Sequence, residues 1–509
     1  METPVKTDDA PPSPYAEVHE THIGVVFLAG ERAYKIKKPV RTGFLDFSTV
    51  ERRREACRRE IELNRRLAPD VYLGLAEITD PAGGGSEPAV VMRRMPPECR
   101  LSTLVRTGAA VAEPLRVLAR QVAVLHSRAL RGPRIDAEGT QHALQARWTA
   151  NIREIRRFRG QVLDETVAAD IERLALHFLA GRGPLFDGRI AAARIVDGHG
   201  DLLADDVFCL PDGPRALDCL EFDDRLRYVD GLDDACFLAM DLERLGDPGA
   251  ARRFLADYAE FAADPAPAAL RHHYTAYRAF VRAKVACLRH EQGDEDARAD
   301  VARYADLTRR HLMRGSVRLA LVGGLPGTGK STLAASLADR FGAVLLSSDR
   351  LRKELAGLDP YSPAGAGYRQ QLYRPETTAR VYVELRTRAA SLLARGESVV
   401  LDASWTSIDE RVAAAGLAVL ASADLVQIRC EAPAAVAAAR LRHRQPTASD
   451  ADPIIAASMA CDVDPWPEAT TVATDVPLAR SRAVADLAWR MAPRTADPLT
   501  AHLHTLERR

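Results

Sequence analysis

The chain has 509 residues, of which 47% are hydrophobic and 28% charged, a balance typical of globular rather than disordered or membrane-embedded proteins. Lys and Arg number 70, as do Asp and Glu, so the net charge provides no general attraction to nucleic acid or to an anionic membrane. No segment holds the roughly 18 consecutive apolar residues that a membrane span needs. The polar start of the chain has no signal-peptide core. We therefore expect a cytoplasmic protein without a membrane or nucleic-acid partner.

A chain of this length exceeds one ordinary hydrophobic core, so we predict a disordered tail over 1–15, a first domain over 16–314 and a second over 315–509. In the first domain, the apolar runs 23–28 and 33–36 flank a turn and predict a β-hairpin. A charged helix capped by Ser48 or Thr49 should follow to about Leu67. Further predicted elements are strands at 72–78 and 89–95, and helices through most of 113–179 and on to about 314.

His199-Gly200-Asp201 is the most informative motif of the first domain. In the kinase pattern H-R-D-x-x-x-x-N, the Asp accepts the hydroxyl proton of the acceptor, and the residue five positions later binds a metal ion. Asp206 stands five positions after Asp201, and Asp218 follows a short apolar strand farther along. Two such carboxylates can hold Mg²⁺ against phosphates while the third activates the acceptor.

A lysine and a glutamate upstream complete this pattern. Ala33-Tyr34-Lys35 has the A-x-K ending of the third strand of kinases, and Glu60 lies on the next predicted helix, which predicts a phosphate-orienting Lys–Glu pair. Only seven residues of the chain are lysines, and three of them fall at 35–38. Because Lys37 shares a strand face with Lys35, it remains an alternative for the same role.

These motifs resemble the aminoglycoside phosphotransferase family of kinase-like enzymes over about residues 20–300. The resemblance implies a bilobal α+β fold that binds ATP with Mg²⁺ and has its adenine-contacting hinge near 90–95. The site residues that it implies are Asp201 as base, Asp206 and Asp218 as metal ligands, and Lys35 with Glu60 as the phosphate-orienting pair.

The sequence departs from that family in two respects. The family usually has Asn where this chain has Asp206, and the G-x-G-x-x-G loop is absent, as it often is in this family. Other acidic residues nearby are expected to be solvated or to cap helices rather than to catalyse; they are Asp223, Asp224, Asp230, Asp233 and Asp234.

The second domain opens on a phosphate-binding loop of the form G-x-x-x-x-G-K-[ST]. An apolar strand precedes the loop and a helix follows it, so successive backbone N–H groups can face a nucleotide phosphate. Lys330 can reach the β- and γ-phosphates, and Ser331 can ligate Mg²⁺. The residues predicted to bind the nucleotide are Gly324, Leu325, Pro326, Gly327, Thr328, Gly329, Lys330, Ser331 and Thr332.

Acidic and basic residues at later strand ends complete a predicted kinase site. Asp349 ends the apolar run at 344–348 and can accept the proton of an acceptor hydroxyl, while Arg352 can hold an anionic acceptor. Asp402 ends a Walker-B-like strand and can hold Mg²⁺ through water. Arginines after the next strand, Arg440, Arg442 and Arg444, are candidates for a closing lid or for a solvated helix face, and we select Arg444 as the catalytic one.

This domain resembles the small P-loop kinases grouped with polynucleotide kinase, gluconate kinase and the zeta-toxin-like proteins, over about residues 316–480. Apolar runs at 317–322, 343–347, 398–401 and 425–430 alternate with helical segments. Such alternation predicts a parallel sheet in an α/β P-loop fold.

The combined pattern predicts an α/β multi-domain enzyme that transfers the γ-phosphoryl group of ATP, with Mg²⁺, to a hydroxyl of a small molecule such as a sugar or amino sugar. One alternative is a nucleotide-sensing protein in which one domain binds ATP without turning it over. Another is a nucleic-acid 5′-end kinase, against which the balanced charge argues. The sequence leaves the acceptor and the oligomeric state open.

Overall fold

A computed structural model of the chain describes residues 16–20, 24–41, 46–79, 85–359, 374–443 and 453–492. It divides into two compact units that interleave along the sequence. The first comprises Met1–Gly139, Arg189–Pro265 and Arg278–Arg282, and the second comprises Thr140–Gly188, Ala266–Tyr277 and Ala283–Arg509. Several helices that precede the expected boundary at 315 thus group with the C-terminal residues, and that boundary stays a prediction.

The first unit contains a five-stranded antiparallel sheet. Its strands are β1 (Ala16–Glu20), β2 (Gly24–Ala29), β3 (Arg32–Lys37), β4 (Tyr72–Thr79) and β5 (Ser86–Arg93), in the spatial order β1-β2-β3-β5-β4. The predicted β2–β3 hairpin is confirmed, with Gly30 at the turn in the left-handed region (φ +55°) that favours glycine. The edge strand β1 was not predicted, since its sequence is polar.

Helix α1 (Val50–Asn64) packs against this sheet. The side chain of Thr49 accepts a hydrogen bond from the backbone N–H of Arg52 and so caps the helix, as predicted for this position. The helix ends at Asn64, three residues before the predicted end. Its buried face contributes Cys57 and Ile61 to a core that also contains residues of β4 and β5, and this contact fixes the helix over the sheet.

The elements between α1 and the second sheet include two small antiparallel ribbons, β6 with β9 and β7 with β8. In chain order the elements are α2 (Leu101–Arg106), α3 (Ala112–Arg128), α4 (Pro133–Asp136), α5 (Gln141–Ile155), α6 (Glu165–Ala180), α7 (Gly183–Ala191), β6 (Ile195–Asp197), β7 (Val207–Leu210), β8 (Gly213–Ala216), β9 (Tyr228–Asp230), α8 (Gly231–Arg244), α9 (Pro248–Phe261), α10 (Ala268–Glu291) and α11 (Ala297–Arg314).

The second unit contains a five-stranded parallel sheet in the order β11-β12-β10-β13-β14. Four of its strands were predicted, and the short edge strand β14 was not. The elements are β10 (Arg318–Gly323), α12 (Lys330–Phe341), β11 (Val344–Ser347), α13 (Ser348–Leu355), α14 (Pro375–Ala394), β12 (Val399–Asp402), α15 (Ile408–Leu420), β13 (Asp424–Glu431), α16 (Ala434–Arg442), α17 (Pro453–Ala460), β14 (Thr470–Ala473) and α18 (Leu478–Arg490).

A buried core joins α12 and α18 to this sheet. Val322 of β10, Leu333 of α12 and Trp489 of α18 belong to it, and all three are almost completely buried. The core places the start of α12 at the carboxyl ends of the parallel strands, where ligands bind in open α/β sheets. The predicted mixed α/β architecture is confirmed: a region built on an antiparallel sheet and helices is followed by an α/β region with a parallel sheet.

The second unit extends back to the α6–α7 junction through a buried arginine. Arg182 is fully buried and donates from Nη1 to the carbonyl of Ala421 (2.7 Å) and from Nη2 to that of Ser422 (3.0 Å), just past the end of α15. A side chain on Gly181 would place its Cβ 2.2 Å from the Ala421 oxygen, so the two backbones meet here only because Gly181 lacks one. Cutting the chain at 315 would therefore leave the end of α15 without its cap.

Two further sequence features have simple structural outcomes. None of the described helices combines the length and apolar composition that crossing a bilayer demands. All eight cysteines are free thiols, and five of them are buried, but Cys461 is exposed.

Candidate active sites

The first candidate site forms where β3 faces α1. Lys35 and Lys37 point to the same side of β3, because side chains two apart share a strand face. The ammonium of Lys35 lies 2.9 Å from Glu60 Oε1 and 2.5 Å from Asp218 Oδ1. That of Lys37 lies 2.7 Å from Glu60 Oε2 and also contacts Glu221. The predicted pairing of a β3 lysine with Glu60 is thus present in both alternatives, and only Lys35 also contacts Asp218.

Two lysines counter the effect of burial on the carboxyl group of Glu60. Burial alone would raise the pKa of Glu60, but the two ammonium groups of Lys35 and Lys37 lower it to about 2. The same attraction raises the pKa of both lysines against the effect of burial. Lys35, Lys37 and Glu60 therefore stabilise one another's charged forms.

A β-hairpin brings Asp206 and Asp218 to the same end of β7 and β8. Val207 pairs with Ala216, and the backbone N–H of Leu217 donates to the Asp206 carbonyl (2.9 Å). Asp218 has a φ of +61°, an uncommon conformation for a non-glycine residue, which costs on the order of 1 kcal/mol. The hairpin thus explains how two acids distant in sequence meet.

The pKa values of both Asp201 and Asp206 are raised at this site. Burial raises the pKa of Asp201 to about 6, with Asp218 adding to the effect and Arg282 opposing it. Burial also raises the pKa of Asp206 well above its usual range, and the negative charges of Asp218 and Asp201 raise it further. A bound cation would reduce the repulsion between these carboxylates and favour their ionised forms.

The three acids do not form a complete metal cage. Among the described residues, no three His, Cys, Asp or Glu side chains are grouped so that they alone could hold a metal ion. Mg²⁺ usually takes only one or two carboxylates and fills its remaining positions with water and substrate phosphates. The mutually repelling pair Asp206 and Asp218 fits such a partial site.

Helix α8 holds the 199–206 loop through buried acids that were expected to be solvated or to cap the helix. Asp234 accepts hydrogen bonds from the backbone N–H of His199 (2.6 Å) and Gly200 (2.9 Å), and from Nε2 of His126 (3.0 Å). Burial opposes ionisation, yet the hydrogen bond and charge of His126, with the charges of His199 and Arg278, keep the pKa of Asp234 well below its usual range. Asp234 is therefore neither solvated nor a simple helix cap, and the expectation for it was wrong.

For Asp233, too, the structure contradicts the expectation of a solvated side chain. It is buried and pairs through both oxygens with Arg278 (2.8 and 2.9 Å), whose Nη1 donates to the Gly200 carbonyl (3.1 Å). By contrast, Asp230 does cap α8, accepting from the backbone N–H of Leu232 as expected for a capping residue. The sequence offered one signal: acids at 233 and 234 in the first turn of a helix that continues as an apolar run over 235–240.

The second candidate site surrounds the loop between β10 and α12. Gly324 (φ +138°) and Gly327 (φ +82°) have positive φ, and a Cβ on either would lie 2.6 Å from the carbonyl of Cys430 or Ala437, respectively. The loop therefore requires glycine at both positions on steric grounds. Thr328 Oγ1 closes the loop by donating to the Leu325 carbonyl (2.7 Å).

Asp402 lies beside the start of α12, as its strand position predicts. Ser331 and Ser347 donate hydroxyl hydrogen bonds to its carboxylate, and burial raises its pKa while Lys330 opposes that effect. Oδ1 of Asp402 is buried and has no hydrogen-bond partner within the described parts of the chain. An unsatisfied buried carboxylate oxygen next to a serine hydroxyl fits hydrated Mg²⁺, for which both are suitable ligands.

A cavity of about 400 Å³ opens beside this loop. Asp349 lies in the first turn of α13, two residues beyond β11, and Arg352 is buried with its Nη1 donating to Thr378 Oγ1 (3.1 Å). The cavity wall includes Pro326, Lys330, Asp349, Arg352, Thr378 and Glu410. The predicted acceptor-binding residues and the loop lysine therefore face one space.

Among the candidate lid arginines, Arg440 contacts the loop directly. Its Nη1 lies 3.4 Å from the Gly327 carbonyl, and its Nη2 donates to the Thr474 carbonyl (2.6 Å). Thr474, which sequence reasoning missed, donates from Oγ1 to the Thr328 carbonyl (2.5 Å). The selected lid residue, Arg444, falls outside the described residues.

Comparison with known proteins gives one family match and several structural likenesses. Residues 319–460 match the family described as "AAA domain". The chain is similar in fold to a choline/ethanolamine kinase family protein from Mesorhizobium loti, at 17% identity over 60% of this chain and 94% of that one, with a TM-score of 0.38. It is also similar to a gluconokinase from Sinorhizobium meliloti 1021, at 19% identity over 35% and 94%, with a TM-score of 0.26.

Sequence similarity extends over the whole chain in mycobacterial relatives. "Uncharacterized protein Rv2004c" of Mycobacterium tuberculosis (strain ATCC 25618 / H37Rv) is 44% identical over 497 residues, which cover 97% of this chain and 100% of the relative. "Uncharacterized protein Mb2027c" of Mycobacterium bovis (strain ATCC BAA-935 / AF2122/97) gives the same values. The chain therefore belongs to the same protein family as these mycobacterial proteins.

Proposed function

We propose that the protein is an ATP-dependent phosphotransferase with two nucleotide sites, each of which transfers a γ-phosphoryl group to a hydroxyl of a small molecule. The observation that carries this proposal is the cavity beside the 324–332 loop, which Lys330, Asp349 and Arg352 line together. A phosphate-binding lysine, a base and an anion-binding arginine around one space are what a kinase needs to bring donor and acceptor into line.

The second site supports the following chemistry. Asp349 accepts the proton of the acceptor hydroxyl as that oxygen bonds to the γ-phosphorus, and the bond from the γ-phosphorus to its bridging oxygen breaks to release ADP. Lys330 and the backbone N–H groups at the start of α12 stabilise the phosphate charge. Ser331 and Asp402 would hold Mg²⁺, which when bound neutralises phosphate charge.

The first site supports the same reaction with different residues. Asp201 serves as the base, and its raised pKa keeps it a competent proton acceptor near neutral pH. Lys35, held by Glu60, orients the phosphates. Asp206 and Asp218 would hold Mg²⁺ at this site.

The acceptor of the second site is proposed to be polyhydroxylated, in the sugar or amino sugar class. The cavity volume of about 400 Å³ suits a small molecule rather than a polymer. Its wall is rich in groups that both donate and accept hydrogen bonds: Ser348, Thr378, Tyr382, Ser404, Thr406 and Ser407. Such a lining matches a ligand with several hydroxyls.

One observation favours a second function for the first site. The pKa of Asp206 is raised well above its usual range, so the ionised form that a metal ligand requires is disfavoured until a cation arrives. A site of this kind could bind nucleotide without turning it over. The first unit would then sense ATP while the second unit carries out the transfer.

Both functions are tested by ATP consumption of the full-length protein in a screen of sugars, aminoglycosides and nucleosides as acceptors. Asp201→Ala and Lys330→Ala each remove one site, and Asp212→Ala, an exposed acid at the β7–β8 turn, is the control. Two catalytic sites predict partial loss in each variant and complete loss in the double variant. Loss in Lys330→Ala alone would leave the first site as a sensor, and no loss in either variant would reject the proposal.

A further inference from the structure

Glu60 is shared by two lysines, although phosphate orientation needs only one. Lys35 contacts Oε1 and Lys37 contacts Oε2, so each oxygen of the carboxylate has its own ammonium partner. Glu221 contacts Lys37 on the other side. The result is a second lysine–glutamate pair, built beside the first from the same strand and the same helix.

The two lysines differ in access to the cleft. The side chain of Lys35 is 17% exposed and touches Asp218, which is 48% exposed. The side chain of Lys37 is 2% exposed, that of Glu221 is 6% exposed, and the ring of Phe47 covers the Lys37 ammonium at 5.1 Å from its centroid. Lys35 can therefore exchange Asp218 for a phosphate, whereas Lys37 is enclosed by protein.

The enclosed pair connects three elements around Glu60. Lys37 ends β3, Glu60 lies on α1, and Glu221 lies three residues after Asp218 in the segment that follows β8. Asn64 supplies a separate connection, because its Oδ1 accepts from the backbone N–H of Cys219 (2.8 Å). The end of α1 thus stays attached to this segment even without the Lys37 contacts.

From this geometry we propose that Lys37 and Glu221 form a latch, a pair of positioning residues that keeps Glu60 and α1 in place when Lys35 moves from Asp218 to the nucleotide. Lys35 is then the phosphate-contacting lysine. The inference rests on the proposed function of the first site. It adds Lys37 and Glu221 to the site as positioning residues, and it assigns phosphate contact to Lys35 alone.

The variants are chosen to separate positioning from folding. Lys37→Met leaves Glu60 and Glu221 buried with one cation fewer and is expected to lower the thermal midpoint by at least about 5 °C. Combining it with Glu221→Gln removes one positive and one negative charge, so the midpoint is expected to return to within about 3 °C of wild type. Lys38→Met is the matched control, since Lys38 pairs with Glu20, whose side chain is 70% exposed.

Turnover is measured on full-length protein carrying Lys330→Ala, so that only the first site contributes. For the Lys37→Met, Glu221→Gln variant we expect kcat at least tenfold lower with KM for ATP changed by less than about threefold, because Lys35 still contacts phosphate but is no longer held in one position. Lys35→Met should lose turnover at least a hundredfold. Wild-type kcat in the double variant, or greater loss in Lys37→Met than in Lys35→Met, would overturn the assignment.

Hydrogen exchange of the α1 backbone amides, without nucleotide, supplies a readout that does not depend on turnover. The latch predicts exchange at least tenfold faster over 50–60 in the Lys37→Met, Glu221→Gln variant, with Lys35→Met and Lys38→Met close to wild type. Equal exchange in the double variant and wild type would refute the latch. If the Lys330→Ala protein consumes no ATP, turnover at the first site is rejected, and this exchange experiment alone decides the latch.

Discussion

The two candidate sites differ in how far their charges are paired before any ligand arrives. In the first site, Lys35 contacts both Glu60 and Asp218, and Asp234 of α8 holds the backbone just before Asp201. In the second, no carboxylate of the described residues lies within ion-pair distance of Lys330, and Asp402 keeps an unpartnered oxygen. The first site is assembled by protein contacts, whereas the second leaves positions that a nucleotide and a metal ion would fill.

This difference predicts where mutations act. In a site assembled by protein contacts, residues that never touch the substrate control the rate by holding those that do. In a site completed by ligand, the largest effects come from groups that contact phosphate.

The largest effect is expected from Lys330→Ala. Removing the ammonium takes away stabilisation of the transferring phosphoryl group, so turnover at the second site should fall about 10²- to 10³-fold. Asp201→Ala in the background isolates that site in an ATP-consumption assay. Arg340→Ala, on the same helix but 61% exposed, should have no effect, and comparable activity of Lys330→Ala and Arg340→Ala would contradict the assignment.

Arg182→Ala should destabilise the second unit by about 2 to 4 kcal/mol, because two carbonyls of half-buried residues after α15 lose the fully buried guanidinium group that donates to them. Urea unfolding followed by tryptophan fluorescence reports this change, since all four tryptophans lie in the second unit. Arg173→Ala on α6, which is 44% exposed and pairs with Asp170, should change stability by less than about 1 kcal/mol. Equal changes in the free energy of unfolding for the two substitutions would contradict a stabilising role of the Arg182 cap.

Asp234→Asn should lower first-site turnover about 10- to 100-fold without abolishing nucleotide binding. The substitution weakens the charged acceptor for the His199 and Gly200 backbone N–H groups, so the loop that carries Asp201 is less firmly positioned. The measurement is kcat and KM for ATP in the Lys330→Ala background. An unchanged kcat would contradict the view that α8 positions the loop.

The smallest effect is a pH dependence of the first site. Burial raises the pKa of Asp201 to about 6, so the carboxyl group binds a proton at a higher pH than usual and cannot act as base below that value. We expect kcat/KM to fall about tenfold per pH unit below about pH 6. This fall in kcat/KM at low pH should be present in Lys330→Ala, where only the first site is active. It should be absent from Asp201→Ala, where only the second site is active. A profile that stays flat down to pH 5 would contradict the assignment of Asp201 as base.

The sequence predicted the elements and motifs that depend on local patterns. The β2–β3 hairpin and four strands of the parallel sheet follow from apolar runs and turns, and the shape of the 324–332 loop follows from its glycines. Two of the missed strands, β1 and β14, are short edges whose sequences lack a strong apolar pattern. Edge strands bury less surface, so their sequences are less constrained.

Some residues whose roles depend on distant partners were not predicted. An acid such as Asp234 is ordinarily solvated. Only the structure shows that Asp234 is buried and accepts hydrogen bonds from the 199–200 backbone, 34 and 35 positions away. The same holds for Arg182, whose partners lie 239 and 240 positions along the chain. The choice between Lys35 and Lys37 needed geometry as well, because both satisfy the strand pattern.

The central claim is that one chain holds two nucleotide sites of different construction. Isothermal titration calorimetry of the full-length protein with Mg²⁺ and a non-hydrolysable ATP analogue tests it most directly. We predict two equivalents bound in the wild type and one in Lys330→Ala, with the remaining equivalent lost on adding Lys35→Met. A single equivalent in the wild type, or two in Lys330→Ala, would contradict the account.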